Sequence, residues 1–233
     1  MSFRYGQFCP IAKASEVLGE RWTILIIREL LMGSTRYSDF QRALSQISPT
    51  LLTKRLNQLV DCGLVIRDSV DGTNRAEYRL SDAGQELGPI VMGLGEWGMK
   101  WARGEMKRDE LDVQLLMHDY CRRLDANKLP RRRTVIGFHF PRLRNYANWW
   151  IKIEPGRERE LCFCHPGGDI NVMIRANVRT LVEIWMGDTE IRTALREGRM
   201  EVTGEPALVR SLPSWLRTSK MAHIRPDSTP LRV

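Results

Sequence analysis

The sequence predicts an α+β chain in two domains, Met1 to Glu105 and Met106 to Val233. Three observations lead there. Four segments with apolar residues at helical spacing come first, followed by two short alternating runs on either side of an Asp71-Gly72 turn signal. The second half opens on one helical segment and passes through four alternating runs punctuated by Pro and Gly, then returns to helices with a fifth strand among them. Between the halves, Met106 to Leu111 carries no apolar periodicity and reads as a linker. At 233 residues and 42% hydrophobic content, the chain has enough apolar material for two packed cores.

Pro10 to Leu18 reads as the first helix, started by Pro10 and stopped by Gly19. Arg21 to Met32 is apolar nearly all round, the pattern of a helix buried on most sides. Tyr37 to Leu44 is a short helix with Phe40 and Leu44 turned inward. In the segment Ser48 to Asp61, Ser48 is placed to cap the first turn and Pro49 occupies the position where a missing N–H costs nothing. Leu52, Leu56 and Leu59 form its buried stripe, and Thr50, Thr53, Lys54, Asn57 and Asp61 lie opposite. Two short helices closely joined, the second with a polar outer face, make a helix-turn-helix pattern. That outer face suits the donor and acceptor code of a major groove.

Leu64 to Asp68 and Ala76 to Leu80 then form a hairpin, which after a helix-turn-helix is a wing. Arg67, Asn74, Arg75 and Arg79 are its candidate phosphate or minor-groove contacts, although each arginine also fits a solvated strand position. Ser81 to Ala102 reads as one further helix, burdened by Gly84, Gly88, Gly93, Gly95, Gly98 and Pro89. Each interior glycine costs about 1 kcal/mol against alanine, so packing must hold it, either in a dimer interface or within one subunit.

The runs F-C-P-I, L-G-E-R-W-T-I-L-I-I-R-E-L, R-Y-S-D-F, I-S-P-T-L-L-T-K-R-L, L-V-D-C-G-L-V and Y-R-L-S-D-A-G resemble HxlR-type winged-helix regulators over the first hundred residues. The resemblance implies a homodimeric bacterial transcription factor, with its first and last helices in the dimer and double-stranded operator DNA as partner. It further implies that Thr50, Thr53, Lys54 and Asn57 face bases or backbone, and that Arg36, Tyr37 and Ser38 support phosphate contact. Arg55 lies beside the apolar stripe and is expected to be partly structural. Cys9, at a helix start where the dipole favours a thiolate, matches a cysteine that several such regulators use to sense oxidants. A capping or packed cysteine without redox role fits the same position.

In the second half, Asp112 to Leu124 is helical and Asn127 to Arg133 is a basic loop. Strands are expected at Thr134 to Phe140, Tyr146 to Ile153, Glu160 to Cys164 and Ile170 to Ala176, as an antiparallel meander. Asn177 and Asp188 are placed to cap the two helices that follow, Met200 to Thr203 is a fifth strand, and Glu205-Pro206 opens the last helix. An antiparallel five-stranded sheet covered by helices results. The run L-V-E-I-W-M-G-D-T-E-I-R-T-A-L-R-E-G-R-M-E-V-T-G-E-P-A-L-V-R-S-L, with this order of elements, resembles a sterol-carrier-protein-like domain. That resemblance implies an apolar tunnel for a small apolar effector, lined by Trp149, Ile151, Met173, Trp185 and Trp215, unless these side chains simply fill the core.

Cys162-Phe163-Cys164-His165 lacks the further ligands of a tetrahedral zinc site, and no catalytic or phosphate-binding fingerprint occurs, so neither metal, cofactor nor enzymatic activity is expected. No apolar run reaches the ~18 residues of a membrane span, and five cysteines fit a reducing, cytoplasmic setting. The net charge of +8 favours anionic partners, but Met1 to Glu105 holds 13 basic and 12 acidic residues, leaving 23 and 16 for the rest. The expected function is a DNA-binding transcriptional regulator controlled by an effector in the C-terminal domain or by Cys9. The alternative is a lipid or small-molecule carrier whose N-terminal module serves mainly for dimerisation.

Overall fold

The computed structural model describes residues 4–69, 76–104, 106–227 and 231. They fall into two compact units, Met1–Trp97 and Gly98–Val233.

In the first unit, α1 (Pro10–Leu18), α2 (Thr23–Leu31), α3 (Tyr37–Ala43) and α4 (Pro49–Asp61) precede the antiparallel hairpin β1 (Val65–Ser69) and β2 (Ala76–Leu80). Ile26, Ile27 and Leu30 of α2, Phe40 of α3, the α4 stripe Leu52, Leu56 and Leu59, and Val65, Tyr78 and Leu80 of the hairpin share one core. Burying each such aliphatic side chain is worth about 1.5–3 kcal/mol. Glu29 is fully buried in α2, where Arg28 pairs with it at 2.7 Å and Ser34 donates to it at 3.3 Å. That charge fixes the turn between α2 and α3. The Tyr78 N–H donates to the Thr35 carbonyl at 2.7 Å and Arg36 bridges Glu77, so the chain ahead of α3 extends the hairpin.

The single helix expected from Ser81 to Ala102 is instead three pieces. These are α5 (Asp82–Gln85), α6 (Gly88–Trp97) and a π-helical turn, Gly98–Ala102. The break falls just ahead of Gly88-Pro89, where Pro89 is suited to a first turn and not to an interior. Ser81 begins α5 by accepting from the Gly84 N–H at 3.2 Å while its hydroxyl donates to the Gly63 carbonyl at 2.6 Å.

In the second unit, α7 (Val113–Arg123) leads into β3 (Thr134–His139), β4 (Asn148–Ile153), β5 (Glu160–Cys162) and β6 (Val172–Ala176). Then come α8 (Val178–Met186), α9 (Ile191–Arg196), β7 (Met200–Gly204), α10 (Pro206–Arg210) and α11 (Leu212–Trp215). The sheet has five strands in the order β5-β4-β3-β6-β7. It is mixed, which corrects the expected all-antiparallel meander: β6 pairs in parallel with β3, not with its chain neighbour β5. Gly137 makes room for a side chain of β6. A Cβ there would meet Met173 Cε at 2.6 Å, so the missing side chain leaves room for the methionine of the adjoining strand. β3, enclosed on both sides, is buried along nearly its whole length.

Two expected caps also differ. Asn177 precedes α8 without a side-chain capping bond, and α9 starts after Glu190, not after Asp188. Asp188 instead pairs with Arg103. Tyr120 of α7 donates to the Leu181 carbonyl at 2.9 Å, and burial pushes its phenol well above the ordinary range.

A Cβ on Gly84 would lie 2.3 Å from the Leu64 carbonyl oxygen, which already accepts from the Ser81 N–H. Gly84→Ala is expected to destabilise the first unit by about 1–3 kcal/mol, as overpacking does. A urea midpoint unchanged by this substitution would contradict the close approach.

Candidate nucleic-acid interface

The reading face is built from the inside of α4 outward. Ser48 accepts from the Leu51 N–H at 3.3 Å, which satisfies one orphan donor and fixes where the helix begins. With the leucine stripe buried, Thr50, Thr53, Lys54 and Asn57 all stand exposed. The hydroxyls of Tyr37 and Thr53 both donate to the Pro49 carbonyl, at 2.9 and 3.0 Å, and lie 3.4 Å apart. Tyr37 therefore ties α3 to the first turn of α4 and sets the angle between the two helices. Ser38 is exposed on α3 beside it.

Arg55 is only 8% exposed. Its Nε donates to the Arg21 carbonyl at 3.0 Å, Nη1 to Gln58 at 2.7 Å, and Nη2 pairs with Glu20 at 2.6 Å. This residue holds α4 against the corner ahead of α2 and is not part of the outer face. Its partners Glu20 and Arg21 lie more than thirty positions away, with no local signal to reveal them.

The wing residues are less free than the sequence implies. Arg79 pairs with Asp68 at 2.7 Å across the hairpin, and Arg36 with Glu77 at 3.3 Å. Both pairs are exposed, so each is worth little on its own and exchanges readily for a phosphate. Lys54 and Arg67 are exposed and make no ion pair among the described residues. Asn74 and Arg75 lie outside the described residues.

Cys9 is half-buried at the N-cap of α1, where its carbonyl accepts from the Lys13 N–H at 3.0 Å and its side chain makes no capping bond. In the second unit, Trp149, Ile151, Trp185 and Trp215 belong to the buried core, and Met173 covers Gly137. Trp185 stands edge-on to Tyr120 at 5.2 Å, and Trp215 donates to the Leu208 carbonyl at 3.1 Å. None of the five lines the cavities of about 500, 520 and 690 Å³ in this unit. Among the described residues no group of three or more His, Cys, Asp or Glu could hold a metal ion. Burial first, then Glu160, pushes the Cys162 thiol up, away from the thiolate that metal binding requires. No helix among the described residues is long and apolar enough to cross a membrane.

Comparison with known proteins is consistent with this geometry. Residues 17–106 match the HxlR-like helix-turn-helix family. The HTH-type transcriptional regulator YvaP of Bacillus subtilis is 39% identical over 97 residues, which span 41% of this chain and 90% of YvaP. The HTH-type regulator sll1512 of Synechocystis is 35% identical over 44% of this chain and 77% of its own length. The HTH-type regulator Mb3122 of Mycobacterium bovis is 40% identical over 48% of this chain and 68% of its own.

Arg55→Ala leaves the Glu20 carboxylate and the Arg21 carbonyl without their shared partner. A loss of about 1–3 kcal/mol in unfolding free energy is expected, read from chemical denaturation. Stability equal to that of the unsubstituted protein would show that the guanidinium is not holding the helix.

Proposed function

The chain belongs to the HxlR-like helix-turn-helix family of transcriptional regulators, and on that premise we propose that it acts as a homodimer on double-stranded operator DNA. Each protomer sets α4 in a major groove, the two grooves lying about 34 Å apart on a pseudo-palindromic site. The observation that carries this reading is the outer face of α4. Thr50, Lys54 and Asn57 project from a helix whose angle is held by Tyr37 on one side and Arg55 on the other. Lys54 and Arg67 supply unneutralised positive charge, and Arg36 and Arg79 become available when phosphates displace Glu77 and Asp68.

Dimerisation is supported by exposed apolar side chains on the first and last helices of the unit and on the segment ahead of the first. Phe8 is 99% and Ile11 77% exposed, and Ile90, Leu94 and Trp97 of α6 are exposed too. Such surface is uncommon on a monomer unless it meets a partner. A nearly balanced charge in this half also favours two-fold presentation, since one copy holds few phosphates. We read the second unit as a sterol-carrier-protein-like domain that stabilises the dimer or receives a small-molecule effector; its order of elements supports that. Cys9, at the α1 N-cap, is the candidate for an oxidant-responsive input.

Asn57→Ala is expected to cost about 1–3 kcal/mol in operator binding and to relax preference at one base position. Lys54→Ala should weaken binding evenly across sequences and reduce the log–log salt slope by about 1. Salt-independent, weak DNA affinity in the unsubstituted protein would sink the reading and favour a carrier. Leu94→Glu should convert the dimer to single chains in sedimentation and weaken operator binding in parallel; a dimer that persists would remove α6 from the interface. Operator binding unchanged after mild peroxide would remove Cys9 as an input.

A further inference from the structure

The N-terminal end of α8 faces a cavity of about 690 Å³ within the second unit, a size typical of small-molecule sites. Its apolar lining includes Phe140, Leu143 and Val178. Around this lie three guanidinium groups with no carboxylate partner among the described residues. Arg108 and Arg142 are exposed and make no ion pair, and Arg179 donates only to the Met106 carbonyl, at 2.8 Å. The one acid on the lining, Glu183, is already neutralised by Arg199 at 2.7 Å. The local balance is therefore positive.

Two polar side chains stand at the helix end. Thr180 lines the cavity and is only 5% exposed. Asn177, at the N-cap, leaves the first-turn N–H groups uncapped, and its own Oδ1 is buried without a partner. Uncapped N–H groups at a helix start, the Thr180 hydroxyl on the lining and arginines without a carboxylate partner all favour negative charge at one place. An apolar lining beside them favours a hydrocarbon body attached to that charge.

We propose that this cavity binds a small organic carboxylate with an apolar body, its head group at the start of α8 and among Arg108, Arg142 and Arg179. The ligand is then an amphipathic anion, not the purely apolar effector that a core tunnel would take. It serves as the effector of the regulator proposed above, and rests on that reading only for this role. The binding itself needs no DNA.

Calorimetric titration of the full chain with benzoate, benzyl alcohol and inorganic phosphate, without DNA, tests the site. Benzoate is expected to bind about ten-fold or more tightly than benzyl alcohol, because the alcohol cannot make the charge-assisted bonds. Phosphate should bind less tightly than benzoate, since it lacks the apolar body. Arg142→Ala, at an exposed and unpaired side chain, should weaken benzoate about ten-fold with the thermal midpoint unchanged. Thr180→Val, which keeps the shape, should weaken it several-fold. Equal binding of benzoate and benzyl alcohol, tighter binding of phosphate, no binding, or unaltered affinity in Arg142→Ala with Thr180→Val would each overturn the proposal. None of these results bears on operator binding, which is measured separately.

Discussion

Arg55 lies beneath the reading helix, its guanidinium shared between the Glu20 carboxylate, the Gln58 amide and the Arg21 carbonyl. Much of the first unit depends on that placement. The next residue along the corner, Trp22, has φ of 79°, a left-handed conformation that a bulky side chain adopts only under constraint. A charge-assisted bond to the neighbouring carbonyl offsets part of that cost. The same contact keeps α4 from rocking on its leucine stripe, which by itself would resist lifting but tolerate rotation. Tyr37 restrains the first turn through the Pro49 carbonyl. Held at its first turn and at its middle, α4 presents its outer side chains with little freedom left to lose on contact, which lowers the entropic cost of recognition.

What was legible in the sequence divides along the range of the interactions. The ends of α1, the Ser48 cap and the leucine stripe of α4 rest on residues within one or two turns, and the structure has them as read. The hairpin pairing of β1 with β2 followed from alternation; the Asp71-Gly72 turn signal lies outside the described residues. The second sheet was read strand by strand with small errors at the ends, but its topology was not. The placement of β6 beside β3 brings Met173 over Gly137, a match between distant positions that neither residue announces. The three-part division of residues 82–102 was foreshadowed by Pro89 and the glycines, yet their content says that a helix is weak and not where it breaks. The tryptophans proposed as tunnel lining belong to the core, since apolarity marks burial and cannot separate lining from filling.

The electrostatics of the first unit are set by pairing more than by composition. Arg36 and Arg79 are each held by a carboxylate on the wing. Glu20, Glu29 and Asp39 are committed to structural bonds, with Arg55, with Arg28 and Ser34, and with the Arg36 N–H. The acidic residues that nearly cancel the charge of this half are thus in part scaffold. They need not oppose an approaching anion as strongly as their number suggests, because their field is already met by a nearby cation.

The parallel pairing of β3 with β6 also has a kinetic side. Ile136 must find Val172, with two strands and a Pro166-Gly167-Gly168 loop between them in the chain. In the first unit, by contrast, the hairpin and the helix pair are joined by short connections. Loop closure over the longer interval is slower, because more chain must be ordered before any contact forms. During synthesis the helix-turn-helix can assemble as it leaves the ribosome. The central strand of the second sheet must wait, one apolar edge open, until residues beyond 172 have been made. That interval is when the chain is most prone to pair with a neighbour, and when a chaperone would have the most to cover.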